Sequence, residues 1–362
     1  MAAMPDAYAR SGVDQSLAGR AVGAIVDVLR GIDTGRESRI ALEAGHYATV
    51  LRLDGGIGLA LSSDGVGTKL IVAEQLGRLD TVGVDCVAMN VNDVVCVGAE
   101  PIAVLDYIAV EQADDEALAE LARGLRRGAE QAGVEVPGGE LAIVPELIRG
   151  HPSPRGLDLV GFCVGLVEVD AIVTGARIEP DDAIVGLPSS GIHSNGLTLA
   201  RRVLPDLGEA PPELGGRSVG EELLEPTAIY VRAVRELLAS GVDVRGLAHI
   251  TGEGFLNLLR LAAPVGYRVE APLPVPRVFE LIADRGNVEP AELWEVFNMG
   301  CGFCCVVPWE QAERATRLLS PHHAGTAVIG RATHHTGLVE LPRAGLVGRR
   351  SEGFTPARTA SP

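Results

Sequence analysis

Asp64, Asp93 and Glu140 stand where carboxylates are hard to accommodate. Asp64 follows the apolar run IGLALSS, Asp93 interrupts Val82–Val97 (VGVDCVAMNVNDVVCV), and Glu140 follows Gly138-Gly139. A buried, unpaired carboxylate costs several kcal/mol, so each needs a cation, a strong donor or water. Three such acids suit Mg²⁺, which takes oxygen ligands and is usually shared with substrate phosphates. Equally, Asp93 could cap backbone and Asp64 could open a turn; spacing alone does not bring the three together. Asp64 also begins the loop Asp64-Gly65-Val66-Gly67-Thr68-Lys69. The loop matches neither GxxxxGK[ST], because the lysine follows the threonine, nor GxGxxG, because Leu70 stands at the third glycine. Lys69 is either a charge facing a phosphate or a solvated surface residue.

Two later turns offer hydroxyls and free backbone N–H groups. SSGIHSNG contains His193, Ser194 and Asn195, and HITGEGF contains His249, Thr251 and Gly252; each precedes a helical pattern. Helix starts of this kind bind anions. The plainer role for either histidine is a cap satisfied by backbone.

The elements that must position these groups are legible from periodicity and punctuation. Val22–Leu29 reads as a short amphipathic helix. Strands His46–Leu53 and Ile57–Ser62 flank the turn Asp54-Gly55-Gly56. Val82–Val97 is apolar almost all round and reads as a buried helix. Pro101–Val110 is a strand, and Asp114–Gln131 is a helix opened by acids. Further strands are expected near Val134–Val136 and at Leu157–Val169. Beyond Asp170 the pattern is strand, Gly/Ser-rich turn, helix. Residues 1–15 read as mobile, and residues 343–362 lack periodicity and read as disordered.

A chain of 362 residues suggests two domains. Its 31 basic and 48 acidic residues give a net charge of −17, which argues against broad binding to nucleic acid or an anionic membrane. An anionic ligand must therefore be held by local donors. The sequence has neither a signal-peptide pattern nor an apolar run long enough to span a membrane, so a cytoplasmic location is expected. The six cysteines lie in apolar stretches, which favours free buried thiols. Cys301-Gly-Phe-Cys304-Cys305 reads as strand rather than a metal knuckle, and His322-His323 and His334-His335 as surface loops.

The blocks SSDGVGTKL, VGVDCVAMNVNDVVCVGAEPIAVLDYIA, GFCVGLVE, SSGIHSNGLTLARRVL, LLEPTAIYV and FELIADRGNVEPAELWEVFNMGCG resemble, in order, the aminoimidazole ribonucleotide synthetase family, the phosphoribosylformylglycinamidine cyclo-ligases. The resemblance runs from about Tyr8 to Gly302. It implies an α/β protein of two α+β domains: a β-rich N-terminal ATP-binding and dimerisation domain (1–168), a C-terminal α/β domain (169–342) and a tail (343–362). It also implies a homodimer and an ATP- and Mg²⁺-dependent reaction. ATP phosphorylates the formyl amide oxygen of formylglycinamidine ribonucleotide, the amidine nitrogen attacks, and ADP and phosphate leave. Carried over by motif, Asp64, Asp93 and Glu140 hold magnesium, and Asp64, Gly65, Val66, Gly67, Thr68 and Lys69 contact ATP. His193, Ser194, Asn195, His249, Thr251 and Gly252 contact substrate, with Asp64, Lys69, His193 and His249 the catalytic candidates.

The chain departs from the family pattern at Leu141 and Ile143, which replace a hydroxyl and an acid, and at Glu253, which replaces a glycine. Those changes motivate a rival reading as a catalytically silent nucleotide-binding relative. Other ATP-dependent members of the superfamily are further rivals. Selenophosphate synthetase uses a cysteine or selenocysteine near the N-terminus, whereas the first cysteine here is Cys86. Thiamine monophosphate kinase and the hydrogenase maturation factor lack the GIHSNGLTL and VNDVVCVGAEP blocks.

Overall fold

Alternating apolar residues build one sheet and unbroken apolar runs build another. The computed structural model describes residues 15–350 and 352–357; the expectation of a mobile start falls outside them but for Gln15. After helix α1 (Gln15–Leu29), the first sheet comprises β1 (Ile40–Leu42), β2 (Thr49–Arg52), β3 (Ile57–Gly65), β4 (Glu100–Val110), β5 (Gly139–Ile143) and β6 (Leu157–Glu168), in the order β1-β2-β3-β6-β4-β5. Only the β4–β5 pair is parallel.

Helices α2 (Lys69–Leu76), α3 (Asp80–Cys96) and α4 (Asp115–Ala132) follow β3 and β4. Helix α3 lies directly on the sheet, where Gly161 and Gly165 of β6 make room for Asn90 and Val94; a Cβ there would come within 2.5 Å of either side chain. Helix α4 packs on α3 through Gly83, Gly124 and Gly128. A Cβ on Gly124 would lie 2.1 Å from the Asp80 carbonyl oxygen. Asp114 caps α4 by accepting from the N–H groups of Glu116 and Ala117.

The second sheet comprises β7 (Ala183–Pro188), β8 (Gly246–His249), β9 (Gly266–Val269), β10 (Cys301–Val307), β11 (Ala327–Thr333), β12 (Val339–Leu341), β13 (Leu346–Arg349) and β14 (Gly353–Pro356), in the order β14-β13-β12-β9-β11-β7-β10-β8. It carries α5 (Leu197–Val203), α6 (Val219–Leu223), α7 (Val231–Ala239), α8 (Arg277–Gly286), α9 (Pro290–Val296) and α10 (Ala312–Leu319). Strands β8 and β10 are buried throughout.

The principal expected helices and strands lie within these elements, and four readings are corrected. The strand expected near 134–136 is a single bridge, Ala103 to Glu135; β5 starts at Gly139, past Pro137, which has no N–H to give to a ladder. The 343–362 segment is not disordered through residue 357, because β13 and β14 pair as a hairpin that buries Leu346 and Phe354. Strands this short have too few residues for a period to show. The stretch after HITGEGF is a 3₁₀ helix, Gly254–Arg260, rather than an α-helix. His323 is half-buried, its ring 4.7 Å from that of Tyr230, while His322 pairs with Glu236.

All six cysteines are free and buried. Among the described residues no helix is long and apolar enough to cross a membrane.

Candidate functional site

Helix α3 supplies the polar groups at the join between the two halves. Its Asp93 lies 2.9 Å (Oδ1) from Nδ1 of His249, which ends β8 and is fully buried. The neighbouring Asn92 amide is 3.5 Å from Nε2 of the same ring. Asn92 Oδ1 accepts from the Tyr230 N–H at 3.0 Å, so its Nδ2 is the atom facing the histidine. That orientation makes Nε2 the acceptor and puts the ring proton on Nδ1, toward Asp93.

Asp64, near the end of β3, shares a row with Gly161, Asp106 and Gly139 across four strands, on the face that meets α3. Its N–H donates to Asn90 Oδ1 at 2.9 Å, and its carboxylate accepts from the Gly65 N–H at 2.8 Å. Burial, reinforced by the Asp93 charge, pushes the Asp64 carboxyl up to about 6. Asp93 also lines a cavity of about 450 Å³ together with His46, Tyr47, Ser62, Ser63 and Phe162. Burial lowers His46 to about 4, so it is neutral near pH 7.

Glu140 does not join Asp64 and Asp93. Its register partner is Tyr107, whose side chain is exposed on the opposite face of the sheet, and β5 is three strands from β3. No cluster of three or more metal-ligating side chains forms among the described residues. Within one chain Glu140 therefore stands apart from Asp64 and Asp93.

Lys69 is not solvated. It is fully buried, with Nζ 2.9 Å from both oxygens of the equally buried Asp85 and donating to the Glu225 carbonyl at 2.6 Å. Val66 is likewise a core residue, its N–H donated to the Leu159 carbonyl. In the same loop Gly67 has φ +67°, which favours glycine, and Thr68 Oγ1 lies 2.9 Å from Thr198 Oγ1 of α5.

The two glycine-rich turns lie side by side, since a Cβ on Gly252 would come 3.4 Å from Asn195 Oδ1. His193 is buried at φ +61°, and its Nε2 accepts from the N–H groups of Ser190 (3.1 Å) and Ala228 (3.4 Å). Its proton is therefore on Nδ1, which has no partner among the described residues. Burial, the largest cause, holds the ring well below the usual histidine range and hence neutral. Ser194 Oγ lies 3.2 Å from Thr227 Oγ1. Buried Asn195 Nδ2 has no partner among the described residues. Thr251 and Gly252 are braced by Asn257, which accepts from the Thr251 N–H (2.8 Å) and hydroxyl and donates to the Gly252 carbonyl. Glu253, at φ +75°, pairs with Arg260 at 3.3 Å, and that guanidinium lies over the Tyr47 ring.

The sequence reading missed Asp85, Asn92, Asp106, Thr227 and Arg260. Asp85 carried the same signal as Asp93, an acid inside an apolar helix. Asp106 faces α3 inside β4 and is raised by burial.

Residues 45–167 match the model for the N-terminal domain of AIR synthase related proteins, and residues 179–340 that for their C-terminal domain. The chain is 46% identical to the phosphoribosylformylglycinamidine cyclo-ligase of Thermococcus gammatolerans over 91% of its length and 96% of the relative's. It is 47% identical to that of Methanothermobacter thermautotrophicus, over 92% and 96%. Among solved structures it is similar in fold to hydrogenase maturation protein HypE in complex with ATP (TM-score 0.59, 20% identity, covering 87% and 88% of the two chains). It is also similar to thiamine monophosphate kinase from Aquifex aeolicus (TM-score 0.58, 17% identity, 89% and 95%).

Proposed function

The chain belongs to the AIR synthase related family, and we propose from this that it performs the family's ring closure. Formylglycinamidine ribonucleotide is cyclised to aminoimidazole ribonucleotide at the expense of ATP, with ADP and phosphate released, a step of purine biosynthesis. The observation in the site that carries this reading is the Asp93–His249 contact, 2.9 Å across the two halves at the edge of a cavity. A carboxylate from one half and an oriented imidazole from the other support a reading in which nucleotide and cyclising substrate would meet at one join.

The Asp64–Thr68 loop would hold ATP, since Gly65 and Gly67 admit a close backbone approach. Asp64 and Asp93 fit a magnesium ion, because Mg²⁺ commonly takes one or two carboxylates and completes its shell with phosphate oxygens. Held there, such an ion would supply charge neutralisation for the transferred phosphoryl group. The chain's own residues orient the reactants: Asn92 and Asp93 fix the His249 ring, and the 189–196 turn presents the His193 Nδ1–H and the Asn195 amide to acceptor oxygens of the substrate.

The division at residue 168 is supported by sheet membership, β1–β6 in one sheet and β7–β14 in the other. The active form is a homodimer paired through the outer face of the first sheet, which exposes Leu105, Tyr107, Phe162 and Leu166. A reducing, cytoplasmic setting is supported by six free thiols.

The deciding assay combines purified protein, ATP, Mg²⁺ and formylglycinamidine ribonucleotide and follows the aminoimidazole product. Nucleotide binding without product would favour the silent-relative reading. Light scattering should give twice the 37.8 kDa chain mass.

A further inference from the structure

The LLEPTAIYV block contributes no side chain to the cavity, yet its segment Glu225–Tyr230 is held from both sides. From the first half, Lys69 Nζ donates to the Glu225 carbonyl at 2.6 Å. Asp85 Oδ1 accepts from the Thr227 N–H at 2.7 Å and from the Thr227 hydroxyl at 2.6 Å. Asn92 donates to the Ala228 carbonyl at 2.9 Å and accepts from the Tyr230 N–H at 3.0 Å. From the second half, the 189–196 turn rests on the same segment. Ser190 Oγ donates to the Pro226 carbonyl at 2.5 Å, Ser194 Oγ meets Thr227 Oγ1 at 3.2 Å, and the Ala228 N–H donates to His193 Nε2 at 3.4 Å.

The chemistry of this arrangement points away from simple stabilisation. Lys69 and Asp85 are both fully buried. A buried ion pair is often no more stabilising than apolar residues of similar volume, but it fixes geometry in a way they do not. Lys69 is also the last residue of the loop that starts at Asp64, so any movement of that loop pulls on the Glu225 carbonyl and on Asp85. Asp85 in turn holds the Thr227 hydroxyl, which orients Ser194, and the neighbouring Ala228 N–H joins that of Ser190 in donating to His193 Nε2, which leaves the ring proton on Nδ1.

We infer that Glu225–Tyr230 is a strap coupling occupancy of the Asp64–Lys69 loop to the donor geometry of the 189–196 turn, with Thr227 as its positioning residue. The inference rests on the ring-closure reading for the identity of its two ligands. By linkage the coupling is reciprocal: nucleotide on the loop tightens substrate at the turn, and substrate tightens nucleotide.

The test is calorimetric binding of formylglycinamidine ribonucleotide to the full chain, with and without a non-hydrolysable ATP analogue and Mg²⁺. In the parent the analogue should tighten the substrate by roughly tenfold, inside the usual range of coupling between sites. Thr227→Val keeps the N–H and the volume but removes the hydroxyl, and should reduce that ratio to about twofold or less while leaving the Kd of the analogue alone unchanged. A merely structural role would weaken both ligands together. Ser194→Ala cuts the same hydroxyl contact from the turn side and should give the same loss of coupling, which keeps the test valid if Thr227→Val does not fold. A parent ratio of one, or a parent-like ratio in the folded variants, overturns the strap. Failure of the ring-closure reading looks different: the parent binds nucleotide but no substrate at all, and both proposals then fall.

Discussion

Strands β6 and β10 each pair with a neighbour on both sides, but their surroundings differ. Along β6 burial alternates, with Cys163 1% exposed beside Phe162 at 45%, whereas β10 is buried at all seven positions from Cys301 to Val307. The second sheet is covered on both faces at its centre by the chain's own helices and loops. The first sheet is covered on one face by α3, and its other face presents Leu105, Tyr107, Phe162 and Leu166 with no described element over them. An apolar sheet face of this kind fits the proposed homodimer interface. On that proposal one sheet is finished by folding and the other by association.

The largest expected effect breaks this comparison at the finished sheet. Phe303→Asp places a carboxylate where the side chain is fully buried, next to His249 and Tyr230. It should cost on the order of 5 kcal/mol and yield no soluble folded protein. Phe162→Asp, the same change on the open face, should leave the melting temperature within a few degrees of a parent monomer and shift light scattering from two chains to one. A folded dimer of Phe162→Asp would end the argument that this face is an interface.

The covered face of the first sheet offers the next test. Asp93→Asn keeps volume and removes the charge beside His249 and Asp64, and should lower kcat/KM by about 10²-fold with the fold retained on circular dichroism. Parent-like turnover would remove Asp93 from the site.

A smaller effect appears in acid. His46 is held at about 4 in the folded chain against 6.5 unfolded, so the unfolded state binds the extra proton between those values. Stability from this group is complete above pH 6.5 and is lost as pH falls toward 4, by up to about 3 kcal/mol. Asp64, raised to about 6, works in the opposite sense between pH 6 and 3.8. Denaturant titrations at pH 7 and pH 4.5 should show His46→Gln losing less stability than the parent; equal losses would mean His46 is not held neutral by folding.

The smallest effect concerns Glu253, whose φ of +75° is unfavourable for any residue with a Cβ and whose carboxylate is tied to a largely buried Arg260. Glu253→Gly should relieve about 1 kcal/mol of backbone strain, partly offset by the lost pair, and leave the substrate KM unchanged or lower. A raised KM would show that the Glu253–Arg260 pair helps to hold the substrate.

Much of this layout was legible from residue types alone. The buried helix α3, the hairpin at Asp54-Gly55-Gly56 and the strand–turn–helix around His193 follow from local periodicity and turn chemistry. Residue by residue the site was less legible, because a lysine beside two glycines looks the same whether it meets a phosphate or a buried aspartate sixteen positions away. The separation of Glu140 from Asp64 and Asp93 was hidden for a related reason: the register of β5 decides which face it occupies, and a parallel edge strand takes its register from β4 rather than from its own sequence. Arg260 and Thr227 carry no local pattern at all; only the fold brings them to the join.

The glycine contacts between α3 and α4 bear on how such a site can change over evolutionary time. Asp85, Asn90, Asn92 and Asp93 ride on one rigid rod, and the distance of that rod from its neighbour is set by the absence of side chains at Gly83, Gly124 and Gly128. A single methyl group there, far from any ligand, would displace all four polar side chains together. Lineages can therefore retune the loops around this site piecemeal, but they inherit its central helix as an indivisible block.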